Sequence, residues 1–340
     1  PSFGGRESHL REAPLMTVHP PLSVLLPVRN GEKVIHHAVA SLARQTFPDF
    51  EVVVVDDGSV DGTEDVLRSL AQGDSRIRLF TQEPRGLVAA LEHARARARG
   101  RYLARMDADD GAFAERFRLQ MDLMRSDRRI VLCGTQVAYF PREALKQGAL
   151  RYERWVNGLV THETLCRDLF VECPIPHPSF LLRADVVNLV GGYRDMGWPE
   201  DYDLVLRLWE GGGRLEKIPE VLLRWREGEN RLSRTHPAYT EAAFRRCKVH
   251  FLRRTLLRSG SGVVVWGAGP VGEAFKVKVG AKKEGLAAFV DVDPRKIGQE
   301  IHGVRVLAPQ DGLRLTGTFS VAAVGKGGGR DEIRETLQRG

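Results

Sequence analysis

Short apolar segments alternate with segments of helical character from residue 22 onward, and no other feature of the sequence restricts the fold as strongly. The pattern predicts strands at 22–27, 50–55, 77–80 and 102–106, with helices between them at 32–45, 61–70 and 86–99. Strands separated by helices of about 10 to 15 residues are typical of βαβ units, whose strands form a parallel sheet. We therefore predict an α/β fold with an open, mostly parallel twisted sheet and flanking helices.

The length of the chain, 340 residues, predicts two domains, because one hydrophobic core seldom extends beyond about 250 to 300 residues. After a Ser-Gly-Ser-Gly segment at 259–262, the alternation of strand and helix begins again. The first twenty residues show no apolar period, so we interpret them as a disordered leader or a segment foreign to the native chain. The predicted division is a leader at 1–20, a main domain at 21–240, a connecting helix at 241–260 and a small α/β domain at 261–340.

Composition excludes several classes of protein. No run of about 18 apolar residues occurs, so we predict no transmembrane segment. The four cysteines form no C-x-x-C pair, which argues against a structural zinc site or a disulfide framework and favours a cytoplasmic location. The net charge of +7 suits a partner that carries phosphate, whether a nucleotide, a phospholipid or nucleic acid.

Motifs narrow this choice of partners. No aromatic interleaving or groove-reading motif accompanies the basic charge, so we do not expect nucleic acid as a partner. A series of arginines has two interpretations, a solvated helix face or a contact with anionic lipid, and its members are Arg95, Arg97, Arg99 and Arg101. We therefore predict a cytoplasmic protein, either free or peripheral at the inner face of the membrane.

An acidic motif, Asp107-Ala-Asp-Asp110, directly follows the predicted strand at 102–106. Like charges packed this closely repel one another unless a cation or a hydrogen-bond network offsets the repulsion. Mg²⁺ and Mn²⁺ prefer one or two carboxylates together with phosphate oxygens of a substrate, so one interpretation is a divalent metal that faces a nucleoside diphosphate. The other is that these aspartates cap the next helix or turn into solvent.

A second acidic motif, Asp56-Asp-Gly-Ser59, follows the predicted strand at 50–55. An aspartate at this position can accept from a nucleobase imide N–H or from a ribose hydroxyl, and Gly58 allows the backbone to approach closely. Ordinary turn chemistry is the alternative, because Asp-Gly is common in turns. Ligands of open α/β sheets bind beyond the carboxyl ends of the strands, so we expect both motifs and the segment 27–32 to border one crevice.

Together these segments resemble family 2 glycosyltransferases of the GT-A fold, over about residues 22–235. The resemblance depends on three motifs, Pro27-x-x-Asn30-x-Glu32, Phe50-Glu-Val-Val-Val-Val-Asp-Asp-Gly-Ser59 and Gly100-x-Tyr102-x-x-x-Met-Asp-Ala-Asp-Asp110. It implies an inverting transfer from a nucleoside diphosphate sugar, with a uridine nucleotide preferred and Mn²⁺ or Mg²⁺ bound through the D-x-D motif. The acceptor implied is a glycan, a lipid-linked sugar or a small molecule.

The resemblance also implies roles for individual residues. Asp57 would face the nucleobase, and Asp109 would be the principal metal ligand. Asp107 and Asp110 would hold the ribose or a metal-bound water. The whole nucleotide-sugar site would comprise Pro27, Arg29, Glu32, Asp57, Asp107 and Arg226.

Inverting transfer requires a carboxylate that takes the proton from the acceptor hydroxyl. The candidate is Asp201, which lies in Glu200-Asp-Tyr-Asp203 before an apolar helix, where the family's E-D motif usually falls. Glu200 is the reserve candidate, and capping of the helix is the structural alternative. Trp198 and Tyr202 beside them would either stack on a sugar ring or belong to the core.

The sequence departs from the family pattern near its second Trp-containing motif. Many relatives carry a histidine that completes the metal shell, whereas Arg226 occupies that place here and cannot ligate a cation. Either the metal has fewer protein ligands, or Arg224 and Arg226 bind the diphosphate directly. Processive synthases carry Q-x-x-R-W, but Val221 replaces the glutamine here, so we predict the addition of single sugars. His177 is a further candidate, with a catalytic or a structural role.

The carboxy-terminal domain opens with Gly267-Ala-Gly-Pro-Val-Gly272 after a predicted strand, the context of a dinucleotide fingerprint. Asp291 follows at the next strand end, and Gly267, Gly269, Gly272 and Asp291 are candidate ligand contacts. Only half of a dinucleotide fold fits in the remaining residues, so we expect a mononucleotide-sized, Rossmann-like domain. It resembles the small domain of sugar O-acyltransferases that binds a sugar nucleotide. The alternative is that its glycines serve close packing of strand and helix.

Three functions are compatible with these features. The leading hypothesis is a metal-dependent, inverting, non-processive glycosyltransferase of the hexosyltransferase type, in glycan or glycoconjugate biosynthesis. The second is an NAD-linked oxidoreductase centred on residues 267–272, which lacks an identifiable catalytic base and a substrate domain. The third is a protein that binds a sugar nucleotide without turnover, and the intact Asp57, Asp109 and Asp201 argue against it.

Overall fold

The computed structural model describes residues 19–228, 231–255, 257, 262–273, 286–324 and 328–339. Nearly all of the predicted leader therefore lies outside the described residues. The described part contains two separate β-sheets, which we call the large sheet and the small sheet.

The large sheet contains the strands β1 (Leu22–Val28), β2 (Phe50–Asp57), β3 (Ile77–Gln82), β4 (Tyr102–Arg105), β5 (Gly111–Ala112), β6 (Ile130–Phe140), β7 (Leu181–Arg183) and β8 (Arg214–Arg226). Their order across the sheet is β3-β2-β1-β4-β7-β6-β8-β5. Most neighbours are parallel, whereas β7 is antiparallel to β4 and β6, and β5 is antiparallel to β8. The predicted open, mostly parallel sheet is confirmed, and its first four predicted strands are β1 to β4.

Helices cover both faces of the large sheet. They are α1 (Ile35–Ala43), α2 (Thr63–Gly73), α3 (Leu87–Arg97), α4 (Arg116–Ser126), α5 (Gln147–Gly158), α6 (His162–Asp168), α7 (Ala184–Leu189), α8 (Glu200–Glu210) and, after the short exposed helix α9 (Leu232–Thr235), α10 (Glu241–Arg254). Strands β1 and β2 are buried along their whole length. Their side chains alternate between two cores, so that Val24 and Leu26 pack in one and Leu25 packs in the other. Burial on both faces explains why these strands are almost continuously apolar in sequence.

The small sheet contains β9 (Gly262–Trp266), β10 (Leu286–Val290), β11 (Glu300–Ile301), β12 (Val304–Leu307) and β13 (Thr318–Ala322), in the order β11-β12-β10-β9-β13. All neighbours except the pair β11 and β12 are parallel. The helices α11 (Pro309–Leu313) and α12 (Gly329–Arg339) accompany these strands. We call the part of the chain from β9 to α12 the small unit.

Helix α10 packs against both sheets. Its residues Cys247 and Phe251, one helical turn apart, are buried in a core of the large sheet. Val249 and Leu252, which face the other way, are buried with Val263 of β9 in the core of the small sheet. The predicted connecting helix therefore forms part of two hydrophobic cores at once.

The sequence is least informative about the middle of the chain. We predict only a short strand near 130–133, whereas β6 continues to Phe140 and pairs with β8, which the pattern does not indicate. Strand β8 contains Pro219 and several charged residues, so its sequence does not show the apolar pattern of a strand. The register shifts between Thr135 and Gln136, so that Pro219 has no partner in β6, which is how a proline is tolerated within a sheet. No helix in the described part of the chain is long and apolar enough to cross a membrane.

Candidate active site

Three neighbouring parallel strands end at the same edge of the large sheet. In register, Val28 at the end of β1 lies beside Asp56 of β2, and Leu25 lies beside Arg105 at the end of β4. The loops after these strands border a cleft of about 1780 Å³. Most of the predicted site residues line it, namely Pro27, Arg29, Asp57, Asp107, Asp109, Asp201 and Arg226.

Glu32 does not line this cleft. Its Oε2 accepts a hydrogen bond of 3.2 Å from the backbone N–H of Gly62, and an added Cβ on Gly62 would lie 2.7 Å from Glu32 Oε1. Asn30 makes a similar link, because its Oδ1 accepts from the N–H of Val60 at 2.9 Å. Glu32 therefore holds the loop after β1 against the loop after β2, which is a different place from the predicted nucleotide contact.

Asp57 lies at the wall of the cleft and is buried. Its carboxylate accepts three hydrogen bonds, from Gln82 Nε2 at 2.7 Å and from the N–H groups of Arg85 and Gly86 at 2.8 Å each. Gly86 has a φ of 88°, a conformation that favours glycine. A carboxylate offers about four acceptor positions, so Asp57 fixes this loop and keeps room for about one further donor.

The acidic motif after β4 is crowded and partly unneutralised. Burial and the charge of Asp107 raise the pKa of Asp109 to about 6. The same causes, together with Asp109, raise the pKa of the buried Asp110 well above its ordinary value. Asp110 Oδ1 accepts from the backbone N–H of Arg226 at 2.7 Å, whereas its Oδ2 has no partner among the described residues. The described protein groups therefore offset only part of the mutual repulsion.

These carboxylates suit a metal that the substrate completes. Among the described residues no cluster of three or more His, Cys, Asp or Glu side chains is arranged to hold a metal ion. Mg²⁺ and Mn²⁺ do not require such a cluster, since they bind through one or two carboxylates and substrate phosphates. The raised pKa of Asp109, which lines the cleft beside Asp107, fits a carboxylate whose charge a bound cation would offset.

Arginines supply positive charge at the same place. Arg226 Nε donates to the carbonyl oxygen of Asp109 at 3.0 Å and lies 4.0 Å from Asp109 Oδ2. Its guanidinium lies 4.6 Å from the ring centroid of Phe140. Arg224 packs on the same ring but is exposed and does not line the cleft, so only one of the two predicted arginines is in position.

Sequence reasoning missed most of the arginines that line the cleft, and two of them, Arg105 and Arg231, act on the acidic motif after β4. Arg105 is 1% exposed, and its Nη2 donates to Asp107 Oδ1 at 2.5 Å. Arg231 stacks 4.5 Å from the centroid of Trp225 and forms an ion pair of 2.8 Å with Glu227. The available signal for Arg105 was a charged residue inside an otherwise apolar strand two positions before the acidic motif.

Asp201 lies in the first turn of α8 and faces the cleft. Its Oδ1 accepts from the N–H of Tyr202 at 2.7 Å. Burial and the neighbouring carboxylate of Glu200 raise the pKa of Asp201 to about 8. Glu200 has other partners, because Tyr239 Oη donates to its Oε2 at 2.6 Å and His177 Nδ1 lies 3.5 Å from its Oε1. Asp201 is therefore the less engaged of the two carboxylates.

The remaining candidates near Asp201 have structural contacts. His177 is buried, which lowers its pKa well below the ordinary value, and its Nε2 lies 3.0 Å from Tyr193 Oη. Tyr202 is fully buried and donates to the carbonyl oxygen of Leu169 at 2.5 Å. Trp198 Nε1 donates to Asp203 Oδ1 at 2.9 Å. Tyr202 therefore belongs to the core, and the indole N–H of Trp198 is already satisfied.

The glycine-rich segment after β9 does not line the large cleft at its predicted positions. A Cβ on Gly272 would lie 1.9 Å from the carbonyl oxygen of Gly267, so Gly272 is needed for close packing of the chain. Among the described residues, a Cβ on Gly269 would meet Lys296 Nζ at 3.9 Å, an ordinary contact distance. Asp291 Oδ2 accepts from the N–H of Ala268 at 2.9 Å and from Lys296 Nζ at 3.3 Å. These contacts fit the packing interpretation of Gly272, and they occupy the carboxylate of Asp291.

The large sheet has the fold of GT-A type glycosyltransferases. Residues 23–189 match the family model described as Glycosyl transferase family 2, so this part of the chain is a domain of that family. The chain is 29% identical over 257 residues to the amylovoran biosynthesis glycosyltransferase AmsE of Erwinia amylovora, covering 69% of this chain and 93% of the relative.

Solved structures agree with this fold. The crystal structure of S. aureus TarS 1–349 in complex with UDP-GlcNAc superposes with a TM-score of 0.54 at 18% identity, covering 68% of this chain and 72% of the other. The mannosyltransferase PcManGT from Pyrobaculum calidifontis, in complex with GDP-Man and Mn²⁺, has a TM-score of 0.50 at 20% identity, covering 72% and 65%. The predicted fold class and the glycosyltransferase function are both confirmed.

Proposed function

We propose that the protein transfers a hexose from a nucleoside diphosphate sugar, with uridine preferred, to an acceptor hydroxyl with inversion. The observation that carries the proposal is one cleft that holds Asp57, the acidic pair Asp107 and Asp109, and the carboxylate of Asp201. These groups supply a nucleobase acceptor, a diphosphate site and a base. TarS with UDP-GlcNAc and PcManGT with GDP-Man and Mn²⁺ share the fold and support a nucleotide-sugar donor.

In the proposed reaction, the acceptor oxygen forms a bond to the anomeric carbon while the bond from that carbon to the diphosphate breaks. The diphosphate keeps the electron pair, and Asp201 takes the hydroxyl proton. Arg226 and Arg231 line the cleft and face the leaving diphosphate. Their positive charges are already in place, so they stabilise the developing negative charge without any rearrangement of the site. Asp57 fixes the loop at residues 85 and 86 through two hydrogen bonds, and this loop positions the nucleobase end of the donor.

Asp109 and Asp107 would hold Mn²⁺ or Mg²⁺ together with diphosphate oxygens. When bound, the cation would neutralise charge on the departing diphosphate. Arg226 occupies the position of a further ligand and contributes a second, permanent positive charge beside Asp109. In this proposal, inversion depends on Asp201 as the base, and metal dependence depends on Asp109 as a ligand.

The chain is proposed to work as two units, a catalytic part at 21–240 and a small Rossmann-like domain at 261–340 joined by a helix. The acceptor class is a glycan, lipid-linked or small-molecule hydroxyl, and single addition is supported by Val221 in place of the processive glutamine. A cytoplasmic or membrane-peripheral location is proposed with it. The NAD-linked alternative is disfavoured, because Asp291 is bound to Ala268 and Lys296 instead of being free for a ribose.

Melting temperatures with UDP, GDP, dTDP and NAD, each with and without Mn²⁺, test the proposal, because a ligand of the folded state raises them. We expect a Mn²⁺-dependent rise with a single nucleoside diphosphate, lost in Asp109→Asn. Asp122→Asn, at an exposed position on α4, is the control and should retain the shift. A rise with NAD alone would contradict the transferase assignment.

A further inference from the structure

The cleft continues past Asp201 until it reaches the small unit. Ser320 and Ala322 of β13 and Arg330 of α12 line it, together with Glu172 and Lys248 from the other side. The proposed transfer assigns no role to any of these five residues. This end of the cleft lies on the side of the donor site that holds the proposed base, Asp201. An acceptor has to enter from that side, because its hydroxyl must reach the base.

The charges that act on each group show the order of these groups along the cleft. Glu172 is close enough to Asp201 to contribute to the raised pKa of that carboxyl. On its other side, the charges of Lys248 and Arg330 both act on Glu172. Glu172 therefore lies between the proposed base and the small unit.

Several of these side chains are free to meet a ligand. Among the described residues, Glu172 accepts no hydrogen bond and Arg330 has no carboxylate within 4.0 Å. Arg330 is exposed. Lys248 is held in place, because its Nζ donates to the carbonyl oxygen of Val171 at 2.6 Å. Lys248 is thus held in position, and Arg330 is available to a ligand.

The balance of charge at this end favours an anion. The cations that line it include Arg245, Lys248 and Arg330. The carboxylates of this end are Glu172 and Glu241, and Glu241 is 96% exposed at 3.8 Å from Arg245. The half-buried rings of Phe170, Trp209 and Phe244 also line this end and offer apolar faces for the C–H groups of a sugar.

The small unit is fixed against the catalytic part at this place. Arg334 of α12 forms an ion pair of 2.6 Å with Asp168 at the end of α6. Trp155 Nε1 donates to the same carboxylate at 2.9 Å. The shared packing of α10 adds an apolar contact between the two sheets. Arg330, one turn before Arg334, is therefore held at the cleft wall.

We propose that this end of the cleft is the acceptor subsite, that it selects a sugar bearing a carboxylate or phosphate group, and that the small unit contributes Arg330 to it. The inference rests on the proposed transferase function. It gives the small unit a part in acceptor choice that does not depend on a ligand at its glycine-rich segment.

The test uses the full chain with its best UDP-sugar donor and three matched acceptor probes, glucose, glucuronic acid and glucose 6-phosphate. UDP release is measured as a function of probe concentration. We expect a lower KM for the two anionic probes than for glucose, and the stronger of the two identifies carboxylate or phosphate as the preferred group. Arg330→Gln should raise the KM of that probe by about tenfold, as expected for the loss of a charge-assisted hydrogen bond, and Arg330→Glu should raise it further.

Arg314→Gln is the matched control, because Arg314 also belongs to the small unit, is 80% exposed and does not line the cleft. It should keep the wild-type KM. If the anionic probes and glucose behave alike, or if Arg314→Gln changes KM as much as Arg330→Gln, the proposal is wrong. If the wild type releases no nucleoside diphosphate from UDP-, GDP- or dTDP-sugars, the proposed function fails instead. Calorimetric binding of glucose 6-phosphate to wild type and Arg330→Gln then still decides whether the anion subsite exists.

Discussion

The backbone N–H of Arg226 donates a hydrogen bond of 2.7 Å to Oδ1 of Asp110, across 116 residues of sequence. This contact joins the end of β8 to the acidic motif that follows β4. It also brings the guanidinium of Arg226 beside Asp109, whose carbonyl oxygen accepts from Arg226 Nε at 3.0 Å. The acidic motif after β4 therefore positions the guanidinium of Arg226 at the proposed diphosphate site.

Replacing Asp110 tests this link. Asp110→Ala leaves the N–H of Arg226 without its acceptor in a buried place, and we expect a loss of about 1–3 kcal/mol in the free energy of unfolding, with lower activity. Asp110→Asn keeps an acceptor oxygen and should lose less stability. Urea denaturation and initial rates measure both effects, and equal stability of the two variants would contradict the role of the hydrogen bond.

Asp201→Asn removes the proposed base without changing the shape of the side chain. We expect kcat to fall by about 10²–10⁴, the usual contribution of a general base, while UDP still raises the melting temperature. Asp195→Asn, at an exposed position before α8, should keep wild-type rates. A variant at position 201 with more than half of the wild-type kcat would exclude Asp201 as the base.

The raised pKa of Asp201 predicts a pH dependence. The carboxyl acts as a base only after losing its proton, so kcat/KM should increase with pH and reach a plateau above about pH 8. Glu200→Gln removes a negative charge that raises this pKa, and the increase should then occur at lower pH. A pH profile measured for wild type and Glu200→Gln checks both points, and coincident profiles would rule out this electrostatic coupling.

The metal prediction depends on Asp109. We expect chelation with EDTA to abolish transfer and Mn²⁺ to restore it, because the crowded carboxylates and the diphosphate need a cation between them. Asp109→Asn should require a higher Mn²⁺ concentration for half-maximal rate. Rates that EDTA leaves unchanged would show that the arginines alone neutralise the diphosphate.

Helix α10 should contribute strongly to stability, because Phe251 is 1% exposed within a core of the large sheet. Phe251→Ala is expected to lower the free energy of unfolding by about 3–5 kcal/mol, the usual cost of such a cavity. Arg253→Ala, on the exposed side of the same turn, should change it little. Chemical denaturation of the two variants compares these costs, and similar values would contradict the packing role of α10.

The order of strands and helices from β1 to β4 was predictable because each element carries its own signal. Strands β1 and β2 are almost continuously apolar, and helix α2 between β2 and β3 is amphipathic. Asp57, Asp107 and Asp109 were placed at one crevice because adjacent parallel strands end at the same edge. The middle of the chain was less predictable, because β8 contains Pro219 and charged residues whose burial depends on pairing with β6.

By itself, the sequence determined the βαβ order and the acidic motifs at the strand ends, since these depend on local pattern and on spacing along the chain, and its resemblance to a family motif led to the proposal of Asp201 as the base. Only the tertiary structure decided which side chains share the cleft. It turned Glu32 toward Gly62, engaged Glu200 with Tyr239, and brought Arg105 beside Asp107. These outcomes depend on contacts between distant segments and on burial, which no local pattern encodes.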